Sequence, residues 1–468
     1  MASEVVESPT AALSLEFLVV GGGLGGLSVA YMLSKAGHKV RVLEKLPGVG
    51  TPAAGLRVPP NMSKILKKWV GEEELRRTAV RNLASPWWDL HAGECLGVAQ
   101  WRLDVMSETG GDFITMAHED VHRLIHRLAV DAGVQIQYGA TVEEVNPEKP
   151  RPSVRLASGE VISADIIIGA DGPRSIVRET VLGEEDEPRP TGITVFGAVV
   201  QASDMAKEPE LKKLVEAEEW PLIMGTNRSI CGMLIPAQRS RSEYSLMLHW
   251  PDEETGIPED ARESWVEDVP TNTLNYDNLA PIFQRMMKFV PVLHRTRDMD
   301  RDDIDYWIHE DERVVLLGEA AHPWVPGSTH GPSMALEDAV VLGELFRHLS
   351  SVDQIPTFLY AYEELRMERT KQVKIRDVSN AVFLRLPPGP AREERNASVR
   401  HARDEWDDGS LKTEFEGLAM LFAYDAYDAA AEWWLLWGRY NPTDGSTRRN
   451  SEVQFEFASQ TVAYQGSS

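Results

Sequence analysis

The sequence predicts an α/β protein: a doubly wound dinucleotide-binding domain of parallel strands, interrupted by an inserted β-sheet domain and followed by a helical C-terminal region. Three observations carry this reading. Near the N-terminus a glycine-rich turn joins a short apolar run to a helical one. From about 183 to 300 the segments alternate polar and apolar residues like sheet strands, and from about 355 the apolar spacing becomes helical.

Residues 15–20, Leu-Glu-Phe-Leu-Val-Val, form a short apolar run suited to a buried parallel strand. They lead into Gly21-Gly-Gly-Leu-Gly-Gly26 and then Leu27-Ser-Val-Ala-Tyr-Met-Leu33, apolar at helical spacing, with Gly37 where a helix stops. Residues 40–44 make the second strand and complete a βαβ unit. Residues 154–156 and 161–163 flank Ser158-Gly159 as a hairpin, and residues 165–169 form a buried strand entering Ala170-Asp-Gly172. Strands follow over 193–201, 229–235 and 244–250, the last two turned into a hairpin by residues 239–242. Val314-Val-Leu-Leu317 enters Gly318-Glu-Ala-Ala-His-Pro323, and a helix covers 333–349. The chain reads helical from 355 to 385, breaks at Leu386-Pro-Pro-Gly-Pro390, and is acidic and loop-like to about 409. A last helical block holds Phe422-Ala-Tyr-Asp-Ala-Tyr-Asp428 and Trp433-Trp434. The expected divisions are 15–183 and 301–365 for the two parts of the nucleotide domain, 184–300 for the inserted sheet, 366–442 for the helical region and 443–468 for a polar tail.

Composition excludes several classes. The 468 residues carry 48 basic and 73 acidic side chains, a net charge of −25, which argues against a protein that coats nucleic acid or anionic lipid. Cys95 and Cys231 are the only cysteines, too few for a disulfide framework or a four-cysteine zinc site. No His/Cys/Asp cluster has zinc spacing, so no metal is expected. The N-terminus lacks the basic-then-apolar order of a signal peptide, and no transmembrane segment is read, so the cytoplasm is the expected compartment.

The first motif is Gly21-x-Gly23-x-x-Gly26. Gly21 permits the tight strand-to-helix turn, Gly23 lets backbone approach a pyrophosphate, and Gly26 lets the helix sit close to the sheet; Gly25 lies inside the same turn. The free N–H groups of the helix start hold the phosphates. Glu44, with Lys45 beside it, ends the second strand where an adenosine ribose is recognised. This motif alone leaves NAD and FAD undecided.

The second motif, Asp165-Ile-Ile-Ile-Gly-Ala-Asp-Gly-Pro-Arg-Ser-Ile-Val-Arg178, resembles the Asp-Gly fingerprint of the single-component FAD-dependent aromatic hydroxylases. These flavoprotein monooxygenases are typified by 4-hydroxybenzoate and salicylate hydroxylases, and the likeness is to the fungal salicylate hydroxylase type. Asp171 and Gly172 stand at the fingerprint's positions, flanked by Arg174, Ser175 and Arg178. The third motif, Gly318-Glu-Ala-Ala-His-Pro-Trp-Val-Pro326 with Gly331 and Ala335-Leu-Glu-Asp338, is similar to that family's second FAD segment. Pro326 suits a rigid wall beside the flavin, and Gly331-Pro332-Ser333 opens a helix whose N-terminus favours negative charge on the ring. The resemblance runs from residue 15 to about 440, including Trp307 and a helix at Ala423-Tyr-Asp425.

The resemblance implies a Rossmann-like FAD-binding domain with tight, non-covalent FAD and transient NADPH or NADH, the latter contacted by Arg174. It also implies an electrophilic oxygen delivered through a flavin C4a-hydroperoxide. Three departures stand out. Glu319 replaces an Asp, and His330 and Ser333 occupy the places of Gln and Asn. His118 stands where an arginine contacts the flavin chain, so Arg123 or Arg57 is expected to compensate, and Arg57, Arg174 and Arg178 to relieve the negative field locally.

For the substrate side, Arg57, Pro326, His249 and Tyr244 are the catalytic candidates, with Met233, Ile235 and Met247 on the face turned to the flavin. Ordinary core packing is the favoured account of those apolar residues, and a structural role that of His249 and Tyr244. Relatives carry an aromatic-Arg pair where this chain has Phe196-Gly197, which removes one polar anchor. His322 is read as structural.

The expected function is an FAD-dependent, NAD(P)H-consuming monooxygenase that inserts one oxygen atom into an electron-rich phenol or aryl acid. Decarboxylative hydroxylation of a hydroxybenzoate-type acid, or oxidation of a larger secondary metabolite, are the alternatives within the class. Outside it stand an FAD-binding NAD(P)H oxidase or scaffold without coupled hydroxylation and, on the first motif alone, an NAD-linked dehydrogenase. The partners expected are a small aromatic substrate, O₂ and NAD(P)H, with no nucleic acid; a homodimer is an open expectation.

Overall fold

The apolar runs of the nucleotide domain assemble one parallel sheet. In a computed structural model that describes residues 10–49, 54–101, 103–236, 242–258, 267–404 and 421–440, its strand order is Val314–Leu316, Ile166–Gly169, Glu16–Val20, Lys39–Glu44, Gln135–Tyr138. Val19 pairs with both Ile168 and Val42, and Ile168 with Val315. The strands Val314–Leu316, Ile166–Gly169 and, past Glu16, Glu16–Val20 are buried on both faces, which explains their continuous apolar runs, whereas Lys39–Glu44 and the edge strand Gln135–Tyr138 are partly exposed. The helix that leaves the first strand spans Leu24–Lys35, three residues earlier than the apolar spacing marks, because Gly23 is its N-cap in extended conformation. It packs on the Gly331–Phe346 helix so closely that a Cβ on Gly343 would lie 2.5 Å from the Cβ of Met32. The expected hairpin forms, with Val154 opposite Ile162, inside a three-stranded sheet that includes Val142–Asn146.

The second large sheet has eight strands, in the order Glu267–Val269, Leu293–Asp300, Arg189–Gln201, Glu243–Pro251, Ser229–Ile235, Leu222–Met224, Ala84–Asp89, Cys95–Gln100. The three strands read from sequence form its centre, and Met247 faces Gly197 on one side and Cys231 on the other. Most of the turn expected at 239–242 lies outside the described residues. Two strands come from residues 84–100, which the sequence reading assigned to the nucleotide domain. Their place is set by parallel pairing of Leu222 with Trp87, a contact that local periodicity does not encode.

Alternation fixes the two faces of this sheet. Phe196, Ala198, Ile230, Tyr244, Leu246 and Trp250 point to a core shared with Leu211, Phe283 and Met286. The other face carries Gly197, Cys231, Met233, Met247 and His249 and turns towards the nucleotide domain. There a Cβ on Gly55 would lie 2.7 Å from Met233 Sδ, and one on Gly327 would run into Met247 Sδ.

The Ile355–Leu384 helix matches its expected span. The segment after the proline break is a correction: Pro390–Asp404 is a helix, not an acidic loop. Its charge density hid a single buried apolar residue among the described side chains. Val399 is buried against Gly97, where a Cβ would lie 2.5 Å from the Val399 carbonyl oxygen. A second correction concerns Ala423-Tyr-Asp425, which precedes a helix rather than forming one. Asp425 caps Ala426–Leu436, its Oδ1 accepting from the Tyr427 N–H at 2.9 Å. The expected polar tail lies outside the described residues. No described helix is long and apolar enough to cross a membrane.

Candidate active site

The three glycine-containing segments meet at one helix start. Gly21 has φ +104°, and a Cβ there would lie 2.3 Å from the Ala170 carbonyl oxygen and 2.9 Å from Asp171 Cα. A Cβ on Gly26 would lie 2.0 Å from the Gly21 oxygen, and one on Gly25 3.0 Å from Leu317 and 3.3 Å from Ala335. Gly23 differs: its φ of −73° suits any residue, and a Cβ would meet nothing within 4 Å. Nothing among the described residues demands glycine there. The space in front of it, at a helix start with no side-chain cap, is the shape a pyrophosphate requires.

Glu44 sits at the rim of this cradle. Its Oε2 accepts from the Gly22 N–H and its Oε1 from the Leu46 N–H, each at 2.7 Å, while Lys45 is exposed. His118 opens the His118–Asp131 helix, its N–H donating to the Ala54 carbonyl at 2.9 Å. Burial, with the neighbouring His122, lowers its pKa to about 4, so it is neutral and supplies no standing charge. One turn on, His122 Nε2 donates to the Gly22 carbonyl at 2.7 Å. Sequence reading missed His122, although its i, i+4 spacing from His118 placed both on one helix face. Arg123 does not compensate for the missing arginine: it is half-exposed and paired with Glu119 on the helix surface.

The Asp-Gly turn braces the helix that follows it. Asp171 accepts from the Ser175 hydroxyl and, at 2.9 Å, from the Ile176 N–H, while Ser175 Oγ caps the Arg178 N–H at 2.9 Å. Burial raises the Asp171 pKa to about 6 against these hydrogen bonds. Gly172 follows at φ +81°, and Arg174 is exposed at the turn. Arg178, expected to relieve charge at the cofactor, is committed elsewhere. Its Nη1 donates to the Ala320 and Ala321 carbonyls at 3.2 Å, and its Nε lies 3.4 Å from Asp186.

Glu319 sits in the short turn Gly318–Ala320, and the Gly318 N–H donates to Asp338 Oδ2 at 3.1 Å. Beyond it Pro326 is buried and Gly331, Pro332 and Ser333 begin the next helix. Ser328 holds this loop, accepting from the His330 and Gly331 N–H groups at 3.0 Å and donating to Asp377. Ser333 Oγ donates to the His330 carbonyl at 2.8 Å. His330 stacks on Phe422 at 6.1 Å, and its buried Nδ1 makes no hydrogen bond.

Arg57, on the short strand Gly55–Val58, reaches across to the same loop. Its guanidinium donates to the Gly327 carbonyl and lies 4.8 Å over the Trp220 ring. Burial lowers its pKa, opposed by Cys231 and Asp377. His249 shares the inward face of the sheet, with Nδ1 3.3 Å from Ser229 Oγ. Burial, reinforced by Arg385 and Arg57, lowers its pKa to about 3. Tyr244 is corrected: it lies five residues from His249, hence on the opposite face, buried in the rear core with its hydroxyl unpartnered. Arg385, at the end of the Ile355–Leu384 helix, is a further residue that sequence reading did not single out; no local pattern marks it.

A glycine loop, an Asp-Gly turn and a Gly318 turn converging on one uncapped helix start define a flavoprotein of the dinucleotide-binding class. The chain belongs to the FAD binding domain family, whose model matches residues 14–377. It is 26% identical over 420 residues to the FAD-dependent monooxygenase OpS4 of Beauveria bassiana, covering 89% of this chain and 96% of that protein. It is 29% identical to 3-hydroxybenzoate 6-hydroxylase of Klebsiella oxytoca, covering 76% and 85%. Among solved structures, CtdE in complex with FAD and substrate 4 superposes with a TM-score of 0.71 at 18% identity, covering 90% of this chain and 98% of that one. A salicylate hydroxylase substrate complex gives 0.69 at 19% identity, covering 89% and 97%. The protein is an FAD-dependent monooxygenase of a family whose usual reductant is NAD(P)H.

Proposed function

We propose that this monooxygenase hydroxylates an electron-rich aromatic ring, a phenol or aryl acid. The observation that carries the reading is the packing of Gly21 on Ala170-Asp171 and of Gly25 on Leu317 and Ala335, which brings all three segments to the open space at Gly23.

In this reading Gly21, Gly23, Gly25, Gly26 and the helix N-terminus hold the FAD pyrophosphate, and Glu44 and Lys45 its ribose. His118, Asp171, Gly172 and Arg174 border the linking chain, with Gly318, Glu319, Pro326, Gly331, Pro332 and Ser333 around the ring. Bound FAD, reduced by NAD(P)H, supplies the activation of O₂ and one oxygen atom for the substrate. The chain's own residues do the rest. Arg57 places a fixed positive charge in a dry site, and the helix start at Gly331 favours negative charge nearby. Met233 and Met247 exclude water from the inward face. His249, neutral at physiological pH, orients a substrate hydroxyl without competing charge. Open space at Gly197 supports a ring with bulk beyond a bare phenol. We also place the enzyme in the cytoplasm, in line with two free cysteines, and leave a homodimer as a proposal for light scattering.

Purified protein should retain a yellow cofactor. Its NAD(P)H oxidation should rise with aromatic substrate, with product matching reductant consumed and gaining one oxygen atom. Peroxide formation with no oxygenated product across a broad phenol and aryl-acid panel would favour the oxidase reading.

A further inference from the structure

The loop 327–331 is held by opposite charges from two different elements. From the short strand Gly55–Val58, the Arg57 guanidinium donates to the Gly327 carbonyl. From the Ile355–Leu384 helix, the Asp377 carboxylate accepts from the hydroxyl of the next residue, Ser328. Burial lowers the Arg57 pKa, with Cys231 and Asp377 opposing it, so the two charges that hold the loop also act on each other.

Ser328 passes the Asp377 contact on. Its Oγ accepts from the His330 and Gly331 N–H groups, each at 3.0 Å, while its own proton is committed to Asp377. Those two donors open the Gly331–Phe346 helix. Pro332 has no N–H, and the Met334 N–H turns back to the His330 carbonyl at 2.9 Å, so Ser328 holds the donors at the head of this helix. A helix start favours negative charge in front of it through its free N–H groups. Here a carboxylate one hydrogen bond away has engaged two of them, and its charge opposes their dipoles. The His330 ring gives no relief. It is 4% exposed with Nδ1 making no hydrogen bond, and burial lowers its pKa against the pull of Asp377, so it adds no standing positive charge.

We propose that Asp377, acting through Ser328, is a positioning residue that sets how readily the bound flavin accepts electrons. This rests on the reading that Pro326, Gly331, Pro332 and Ser333 border the flavin ring, and it goes beyond that reading. A reduced flavin carries negative charge, which the helix start at Gly331 favours. The Asp377 carboxylate works against that preference. It lowers the potential of the flavin and restrains its reduction by NAD(P)H.

The test measures the two-electron midpoint potential of the FAD-loaded enzyme without substrate, beside flavin content and thermal melts. Asp377→Asn should raise the equilibrium constant for flavin reduction by about tenfold, or about 30 mV. Ser328→Ala frees the same two N–H groups and should shift the potential in the same direction. Asp377→Glu keeps the charge and should stay near wild type. The double variant Asp377→Asn/Ser328→Ala should move no further than the larger single one, because both act through one hydroxyl. Wild-type potentials in Asp377→Asn and Ser328→Ala, with flavin retained, overturn the proposal, and so do additive shifts in the double variant. No substrate enters the measurement, so shifted potentials in an enzyme that oxygenates no aromatic would sustain the role of Asp377 and sink the hydroxylase reading alone.

Discussion

His322 donates from Nε2 to Asp338 Oδ2 at 2.6 Å, and its Nδ1 accepts from the Trp324 indole N–H at 2.9 Å. An indole nitrogen only donates, so the tautomer is fixed with the proton on Nε2. Asp338 also accepts from Arg366 Nε at 2.7 Å. Against the cost of burial, His322 and Arg366 together hold its pKa below the usual carboxylate value. The histidine of the third motif is thus a brace for the turn at Gly318, not a catalytic base. His322→Ala should destabilise the protein by about 3 kcal/mol, the scale for breaking a buried charged contact, in chemical denaturation; unchanged stability would contradict the brace.

Gly23 and Gly26 should fail differently. A Cβ at Gly23 meets no atom within 4 Å among the described residues, so in Gly23→Val the fold should survive with flavin content lost. Gly26→Val drives a side chain into the Gly21 carbonyl and should lower the melting temperature of the apoprotein itself. Flavin absorbance per chain, beside thermal melts, separates the two.

Tyr244→Phe should leave turnover unchanged, because the ring lies behind the sheet. Its hydroxyl is buried without a partner, so stability should stay within about 0.5 kcal/mol of wild type or rise. A large loss of kcat would return Tyr244 to the site.

Gly197→Leu should fill space on the inward face. We expect kcat/KM for the preferred substrate to drop by about tenfold or more, with flavin content and NAD(P)H oxidation without substrate preserved. An unaffected KM and kcat would place the substrate elsewhere.

Stability should fall in acid through His249. Its pKa is ordinary when unfolded and about 3 when folded, so the unfolded chain takes up the proton first. Its contribution is complete above about pH 6.5 and is lost as pH falls towards 3. Melting temperatures of wild type and His249→Asn measured across that window should converge at low pH; a constant gap would remove the linkage.

Much of the nucleotide domain was legible in the sequence. Gly21, Gly26 and Asp171 mark backbone that comes too close for a side chain or must brace a turn, and such constraints act over a few residues. The Pro390–Asp404 helix was not legible, because its burial rests on Val399 meeting Gly97 across the fold. The strands of residues 84–100 were not read from the sequence, and their place in the eight-stranded sheet rests on the distant pairing of Trp87 with Leu222.

The sequence by itself determined the βαβ unit, the three FAD-type segments and the net charge of −25 that an anionic cofactor must overcome locally. Only the tertiary structure decided which basic residues do so. It spent Arg178 on the carbonyls of Ala320 and Ala321, tied Arg123 to Glu119, turned Tyr244 away and brought Arg57 to the Gly327 carbonyl. Local backbone geometry is written in neighbouring residues, whereas the partner of a buried charge depends on which distant segments folding packs against it.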